Sequence, residues 1–314
     1  MTLQPQQTPD LRPQPGAAAH MRPRFDRDRL LAWRFPEISH SYEARDSILY
    51  ALGVGLGRDP TDTAQLRFLF EEDPEFAALP SMALVLANPG FWPRDPETGI
   101  DWRQVLLGEQ ALVLHAPLPR TGRVRSRMRI SEILDKGAGV GALIRTERQI
   151  TDAATGRLLA TATAGILARG NGGCGGARGR RAPPPALPRR APDHLCYLPT
   201  LPQAALLYRL SGDTNPLHVV PAAARAAGFE RPILHGRCSF GVATHAIVQS
   251  CCDMRPERLR SLAVRFVAPV FPGETLRTEI WQDGDRLRFR ARAVERDVVV
   301  LSDGHATLAP EAAP

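Results

Sequence analysis

The sequence predicts an α+β protein of two tandem units, each a long central helix wrapped by a bent antiparallel sheet. Two observations predict this fold. The same order of elements, a central helix followed by four strand-like runs, occurs twice along the chain, and a Gly-, Pro- and Arg-rich segment separates the two occurrences. The first unit is placed at residues 37–168 and the second at residues 199–309. We expect a diverged duplication whose halves lie side by side in one continuous sheet.

The first unit is expected to begin with helices and to continue as a sheet. Residues 41–55 carry an apolar helical face, and Ser41 is the predicted N-cap. Residues 76–86 form a second apolar stretch that we expect to be helical. Partial alternation of apolar and polar residues then predicts strands at about 109–116, 123–135, 139–151 and 157–168.

The second unit repeats this order with a more apolar helix. A short helix is predicted over residues 202–210, and a long one over about 237–252 after an intervening loop. Strands are predicted at about 258–268, 275–282, 286–295 and 298–308. The apolar segment 240–248 should then lie on the concave face of the sheet.

Three segments are predicted to lie outside the folded units. Residues 1–36 form an N-terminal extension expected to be disordered, because most of it is rich in Pro, Gln, Ala and Arg and has no periodicity. Residues 169–198 are predicted to be a linker, and residues 310–314 a short tail. The first thirty residues and segment 169–193 together account for the whole formal charge of +7. Because the folded units are then nearly neutral, no nucleic-acid partner is expected.

Composition also restricts the compartment. No apolar run approaches the roughly 18 residues that span a bilayer, so we expect a soluble protein with no membrane partner. No apolar stretch near the N-terminus resembles a secretory signal. The five cysteines are odd in number and lack zinc-ligand spacing, which favours reduced thiols in the cytoplasm.

The most informative segment, residues 208–218, reads Tyr-Arg-Leu-Ser-Gly-Asp-Thr-Asn-Pro-Leu-His. A helix that enters this segment must break, because Gly212 tolerates positive φ and Pro216 cannot continue a helix. The resulting loop is expected to present the side chains of Asp213, Asn215 and His218. Simple turn and capping roles for these residues are the alternative.

Those side chains suit the addition of water to an α,β-unsaturated thioester. The reaction needs a base for the water that attacks C3, an acid for C2, and donors for the charge that develops on the thioester oxygen. Asp213 and His218 can hold one water from two sides, and an imidazole that titrates near neutrality can serve as base or acid. Asn215 can orient its neighbours without adding charge.

The donors for the thioester oxygen are predicted at residues 232–236, Pro-Ile-Leu-His-Gly, directly before the long helix. The first backbone N–H groups of a helix have no partner within the helix, and the helix dipole favours negative charge there. Gly236 would let a ligand approach the backbone closely. His235 either lines the site or has a structural role at the helix entry.

Residues 208–218 resemble the signature of the hydratase-2 family, the (R)-specific enoyl-CoA hydratases with a MaoC-like double hot-dog fold. Residues 227–236 and 265–273 resemble further motifs of this family. Short stretches of the first unit, among them Gly-Glu-Gln at 108–110 and Leu-Asp-Lys-Gly at 134–137, resemble its degenerate first repeat. The resemblance covers roughly residues 37–309.

The resemblance implies reversible hydration of trans-2-enoyl-CoA to (3R)-3-hydroxyacyl-CoA. By it, Asp213 and His218 hold and activate the water, Asn215 supports them, and the Gly236 amide polarises the thioester. It implies no metal and no redox cofactor, since CoA is part of the substrate, and it implies a homodimer. The first unit would have lost its own catalytic loop and gained space for a bulky acyl chain. Where the family usually has His, this chain has Leu107, which we expect to affect packing or the acyl pocket.

Other candidates and other functions remain open. Lys136 and Arg265 are candidate partners of the CoA phosphates, with solvated surface roles as the alternative. Glu71 is a candidate for closing the active site, and again a surface role is the alternative. The same site could act as a dehydratase on a branched or sterol side-chain acyl-CoA. A non-catalytic acyl-CoA-binding protein and nucleic-acid binding through the arginine-rich linker are the alternatives outside the enzyme class.

Overall fold

A computed structural model describes residues 24–176 and 186–310 of the chain. Its strands form one ten-stranded antiparallel sheet. The first half of the sheet contains β1 (Ile38–Tyr42), β2 (Val105–Leu114), β3 (Gly122–Asp135), β4 (Ala142–Asp152) and β5 (Leu158–Ala168). The second half contains β6 (His194–Pro199), β7 (Leu259–Phe266), β8 (Thr275–Asp283), β9 (Arg286–Ala293) and β10 (Val298–Leu308).

The two halves have the same topology. The order is β1-β3-β4-β5-β2 in the first half and β6-β8-β9-β10-β7 in the second. Strands β2 and β7 pair antiparallel at the centre, from Glu109 opposite Arg265 to Val113 opposite Ser261. The predicted duplication and the predicted continuous sheet are therefore confirmed.

All eight predicted strands are present, whereas β1 and β6, the two edge strands of the sheet, were not predicted. Both are short. The end of β1 was assigned to the helix that follows it, and most of β6 was assigned to the linker. The predicted linker is wrong at its end, because residues 194–198 belong to β6, which pairs with β8 from His194 to Pro199. The cause is tertiary: Cys196 is buried against the core while Leu195 is exposed.

The prediction of a disordered N-terminal extension is wrong for residues 24–36. Helix α1 (Arg27–Leu31) begins after Asp26, whose carboxylate accepts from two backbone N–H groups of its first turn. Leu30 is fully buried and packs with Ile100 and Ile133 in a small second core. Phe25, Trp33 and Phe35 pack against the same core, so the segment becomes ordered because a neighbouring unit supplies the burial. The calls on residues 1–23 and 311–314 lie outside the described residues.

Part of the predicted linker is also structured. The Asp135 carboxylate accepts from the backbone N–H groups of Gly173 (2.9 Å) and Gly175 (2.9 Å), which ties residues 169–176 to the end of β3. Residues 177–185 of the predicted linker lie outside the described residues.

Helix α2 (Ala44–Gly53) is present, but the predicted N-cap is wrong. Ser41 lies in β1, and Glu43 is the N-cap residue. The Glu43 N–H donates to the Asp46 carboxylate at 2.8 Å, half of a capping box. Because β1 occupies residues 38–42, the helix can begin only after it.

The second unit contains two short helices, α3 (Ala204–Tyr208) and α4 (Pro221–Ala226), and one long helix, α5 (Gly236–Cys251). The long helix α5 agrees closely with the predicted helix. Twelve of its 16 residues are buried, as expected of a helix enclosed on all sides. It contacts strands β6, β7 and β8 of its own unit and also reaches the first unit. At Gly241, an added Cβ would lie 2.5 Å from the Val54 Cγ1 atom, so the two units approach here as closely as backbone and side chain allow.

A long central helix in the first unit was predicted, and this part of the fold prediction is wrong. Only a 3-10 helix, Pro80–Leu84, lies there, and all of its residues are buried. The guanidinium of Arg148 donates to the carbonyls of Ala83 (3.1 Å) and Leu84 (2.8 Å). The last carbonyls of this 3-10 helix are thus bonded by a side chain and not by the N–H groups of a further helical turn. Three residues after the helix, Ala87 changes the chain direction with a positive φ of 47°.

Within the described residues, no helix has the length and apolar character needed to cross a membrane. The five cysteines are free thiols, four buried and Cys174 partly buried.

Candidate active site

The loop that carries the candidate catalytic residues forms where the sequence predicts a break. Helix α3 (Ala204–Tyr208) continues as a 3-10 turn and ends at Gly212, which adopts a positive φ of 107°. The Asn215 side chain then accepts from the Leu217 N–H at 3.1 Å and caps a second 3-10 turn, Pro216–His218. Asn215 therefore fixes the turn that holds His218.

The structure brings together Asp213, His218 and His235. One ligand atom of each lies within 4.8 Å of the others. The rings of His218 and His235 stack with centroids 3.8 Å apart and planes 29° apart. The predicted proximity of Asp213 and His218 is thus observed, and His235 joins them.

The hydrogen bonds of His218 determine which ring nitrogen can accept a proton. Its Nδ1 lies 2.9 Å from the Ile233 carbonyl oxygen. A carbonyl only accepts, so Nδ1 must be the protonated nitrogen and Nε2 is the free acceptor. Burial lowers the pKa of the His218 imidazole, while the Asp213 carboxylate and the Ile233 carbonyl act in the opposite direction. A neutral imidazole with an available Nε2 is a general base.

His235 links the loop to the start of the long helix. It is the N-cap residue of α5, and its Nε2 donates to the Asp213 backbone carbonyl at 3.2 Å. Its ring also packs on Tyr208, with centroids 5.0 Å apart. Burial and the neighbouring His218 lower the pKa of His235. The buried Nδ1 has no hydrogen-bond partner within the described residues, so this atom is available to a bound water or ligand.

Gly236 is the first residue of α5, as the sequence predicts. In the described part of the chain its backbone N–H has no hydrogen-bond acceptor, as expected of a first-turn amide. An added Cβ would lie 3.3 Å from Leu107 Cδ2 and 3.3 Å from Phe266 Cε1, which is tighter than ordinary van der Waals contact. The backbone is therefore closely framed by two apolar side chains, and Leu107 lies in the pocket wall where it was expected to act.

These residues line a cavity of about 400 Å³ between the two units. Its polar corner consists of Asp213, Asn215, His218 and Gly236, all from the second unit. The first unit contributes Phe91, Trp92, Leu106, Leu107, Ile166 and Leu167. The second unit adds Phe229, Ile233, Phe266, Val270 and Leu301. A largely apolar cavity with a few polar groups is typical of a small-molecule site.

Three other candidates are not brought to this cavity. Glu71 is exposed in a turn, and Lys136 follows β3 at the start of a hairpin. Arg265 is half-exposed on β7 and pairs with Asp303 at 3.3 Å. Contacts of Lys136 and Arg265 with CoA phosphates stay predictions, and so does a role of Glu71 in closing the site.

The sequence did not identify Arg237 and Gln110 as site residues. Arg237 lines the cavity, and its Nε donates to the Gln110 side-chain oxygen at 3.4 Å. The one available signal was that Arg237 follows Gly236 directly, at the start of a helix that is otherwise apolar.

Asp213, His218 and His235 are also arranged so that they could hold a metal ion. Each histidine uses one ring nitrogen for a carbonyl, which leaves Nε2 of His218, Nδ1 of His235 and the Asp213 carboxylate. Those atoms suit a hydrogen-bonded water equally well. The absence of a metal requirement stays a prediction.

Two family profiles cover the two units. The profile described as MFE-2 hydratase 2 N-terminal domain matches residues 40–170, and that described as MaoC like domain matches residues 185–303. Enoyl-CoA hydratase ChsH3 of Mycobacterium tuberculosis is 40% identical over 286 residues, which cover 89% of this chain and 97% of that protein. The chain belongs to the MaoC-like hydratase 2 family. The resemblance drawn from the motifs is confirmed.

Further relatives agree with this assignment. The 3-hydroxyacyl-thioester dehydratase Y of Mycobacterium tuberculosis is 41% identical over 263 residues, 83% of this chain and 87% of that protein. Peroxisomal multifunctional enzyme type 2 of Mus musculus is 37% identical over 284 residues, 88% of this chain but only 38% of that longer enzyme. The crystal structure of a MaoC-like dehydratase from Phytophthora capsici aligns with a TM-score of 0.79 at 32% identity, covering 91% of this chain and 99% of that one. The predicted double hot-dog architecture is confirmed.

Proposed function

We propose that this member of the family is an (R)-specific 2-enoyl-CoA hydratase, a hydro-lyase. It adds water reversibly to trans-2-enoyl-CoA and gives (3R)-3-hydroxyacyl-CoA. One observation carries the proposal: the Asp213 carboxylate and a free ring nitrogen of His218 converge at the wall of an apolar cavity. The Gly236 amide opens onto the same cavity and supplies the third element of the reaction.

The water is held between two acceptors. It donates one hydrogen to the Asp213 carboxylate and the other to Nε2 of His218. Since Nδ1 donates to the Ile233 carbonyl, the imidazole ring is fixed in orientation and in tautomer. Asn215 caps the turn beneath His218 and so maintains the distance between the two groups.

The proton then moves within the site. As the water oxygen bonds to C3, its O–H bond breaks and the proton passes to His218 Nε2. The electron pair of the C2–C3 double bond is delocalised onto the thioester oxygen, where the Gly236 N–H and the helix dipole stabilise the charge. The imidazolium, stabilised by Asp213, returns a proton to C2. One water is consumed, and the enzyme ends in its starting protonation state.

The experiment follows loss of the enoyl-thioester ultraviolet absorbance with short, long and branched trans-2-enoyl-CoA substrates. Chiral chromatography of the product tests the facial selectivity. We expect turnover and the (3R) isomer. The (3S) isomer, or no turnover with any of these substrates, would overturn the proposal.

A dehydratase acting on a branched or sterol side-chain thioester is the second candidate. It is favoured by the relative named as a 3-hydroxyacyl-thioester dehydratase. The same residues serve both directions, because each proton transfer is reversible. The ratio of kcat/KM for the enoyl and the 3-hydroxyacyl thioester, measured with the same acyl chain, distinguishes the two. A non-catalytic acyl-CoA-binding protein would bind both thioesters and convert neither.

We further propose that the enzyme works as a cytoplasmic homodimer without a metal or a redox cofactor. The free thiols of all five cysteines support a reducing compartment. Light scattering after size exclusion tests the dimer, and microscopy of the tagged protein in its own cell tests the compartment. Activity should survive dialysis against EDTA, and loss of activity that Zn²⁺ restores would contradict the proposal.

A further inference from the structure

The cavity contains a second polar group besides the water site. Arg237 lines the main cavity and also a small adjoining one of about 40 Å³. Its one hydrogen bond within the described residues is from Nε to the neutral Gln110 side chain, at 3.4 Å. Across the described residues, no carboxylate lies within 4.0 Å of the Arg237 guanidinium. Within the described residues, Arg237 is therefore a cation with no carboxylate in direct contact, in a largely apolar cavity.

A second guanidinium lines the same small cavity. Arg148 of β4 is buried, and its hydrogen bonds go to the backbone carbonyls of Ala83, Leu84 and Leu86. Like Arg237, it has no carboxylate within 4.0 Å in the described part of the chain. Burial and the positive charge of Arg237 lower the pKa of Arg148 to about 9. The two cations thus lie close enough to affect each other electrostatically.

Two other arginines with partly buried side chains do have carboxylate partners. Arg145, the residue three before Arg148, contacts both Glu109 and Glu132. Arg296 contacts the buried Glu274. A charge removed from water is costly without an opposite charge, so Arg237 and Arg148 suit an anionic group that binds in the small cavity.

The walls between the water site and the arginines suit a hydrocarbon chain. Trp92 and Ile166 line both cavities, and Met128 lines the smaller one. A substrate whose thioester lies at Gly236 could extend its chain past these side chains toward Gln110 and the two arginines.

We propose that this cluster, Arg237 with Arg148 and Gln110, is a subsite for an anionic group carried by the acyl chain, and that the preferred substrates are enoyl-CoA thioesters with a chain-terminal carboxylate. Arg237 would donate directly to the carboxylate, since guanidinium and carboxylate form a strong bidentate pair. Gln110 would hold Arg237 in place, and Arg148 would add positive potential from behind the cavity wall. This inference rests on the proposed hydratase function and names its substrate class.

The test compares two matched series of trans-2-enoyl-CoA substrates, one ending in a methyl group and one in a carboxylate, over a range of chain lengths. In the wild-type enzyme, kcat/KM should favour the carboxylate series by at least about tenfold at the optimal length. Arg237→Met should abolish this preference, and Arg237→Lys should keep part of it. As a matched control, Arg45→Met removes one charge from the exposed surface of α2 and should leave the preference unchanged.

Binding of the saturated thioesters, measured by calorimetry, separates this inference from the hydratase proposal. If no enoyl-CoA is hydrated but the carboxylated thioester still binds more tightly than its methyl counterpart, the function fails and the subsite stands. If hydration occurs without a preference for the carboxylate at any chain length, the subsite is wrong and the function stands. A preference that survives in Arg237→Met would also overturn the assignment to Arg237.

Discussion

The two units of this hydratase-family protein share one strand order and differ in what fills the concave face of the sheet. In the second unit this face holds the 16-residue helix α5, and the loop before it carries Asp213 and His218. In the first unit the same place holds the five-residue 3-10 helix Pro80–Leu84. The comparison shows that one copy of a duplicated fold can carry the candidate catalytic residues while the other copy forms the wall of the cavity.

The space in the first unit follows from the shortened helix. A long apolar helix would cover the concave face, whereas the short one leaves room that Trp92 and Ile166 line as cavity wall. At the end of the short helix, Arg148 donates to the carbonyls of Ala83 and Leu84 in place of a further helical turn. Arg148, which bonds to the end of this helix, thus also lines the small adjoining cavity beside Arg237.

The largest expected effect is on turnover, and it tests whether the catalytic residues lie in the second unit alone. Asp213→Asn or His218→Ala should lower the hydratase turnover by at least about a hundredfold, because each removes an acceptor of the attacking water. Kinetics on the same enoyl-CoA substrate measures this, and circular dichroism checks that the fold is intact. His115→Ala, a change at an exposed histidine of the first unit, should have little effect. Full activity of both site variants would remove the mechanism.

A pH titration tests the same asymmetry through stability. Burial lowers the pKa of His218 and His235, and it lowers the pKa of His245 to about 4; all three lie in the second unit. The unfolded chain binds protons at an ordinary pKa of about 6.5, before the folded chain does. Stability should therefore be complete above about pH 6.5. It should fall by about 1.4 kcal/mol per pH unit for His245 as the pH drops to about 4, and the lowered pKa values of His218 and His235 should add to this loss.

Urea denaturation at a series of pH values measures that slope. His305→Ala, at an exposed position, is the control and should leave the slope unchanged. A free energy of unfolding that does not change between pH 7 and 4 would contradict the asymmetry.

The contact between the units offers a third test. Gly241→Ala should lower the free energy of unfolding by about 2 kcal/mol, because the new Cβ would lie 2.5 Å from Val54 Cγ1 and 3.0 Å from the Tyr50 hydroxyl oxygen. Thermal and chemical denaturation measure the change. Gly108→Ala is the matched control for stability, since its Cβ would meet nothing nearer than 3.6 Å. Equal stability of the two variants would show that the units are not closely packed at α5.

The smallest changes in stability are expected from ion pairs, and one carboxylate from each half is compared. Glu279 on β8 is buried between Arg277 (2.6 Å) and Arg290 (2.5 Å), whereas Glu147 on β4 pairs with the exposed Arg129 at 2.9 Å. Glu279→Gln should cost about 1 kcal/mol of stability, and Glu147→Gln less than about 0.5 kcal/mol. Chemical denaturation of the two variants side by side gives the difference. An equal cost would mean that burial of Glu279 adds nothing to its pairing.

The sequence predicted the elements that carry their own apolar pattern, and it missed those that are ordered by contacts with distant parts of the chain. The eight strands of the sheet interior and α5 were predicted, because their apolar patterns extend over many residues of the same element. The edge strands β1 and β6 were not, since each is short and is ordered by its neighbour in the sheet. Helix α1 was missed for a similar reason, because Leu30 packs with Ile100 and Ile133, which lie far along the chain.

The sequence by itself determined the duplication, the broken loop at Gly212 and the chemical identity of Asp213, Asn215 and His218, because these follow from local backbone preferences and residue type. Only the tertiary structure decided the tautomer of His218, the contact of His235 with the loop, and the contact of Arg237 with Gln110 beside the cavity. Each of these depends on a contact between residues that are distant in the sequence, and no local pattern of residues predicts such a contact.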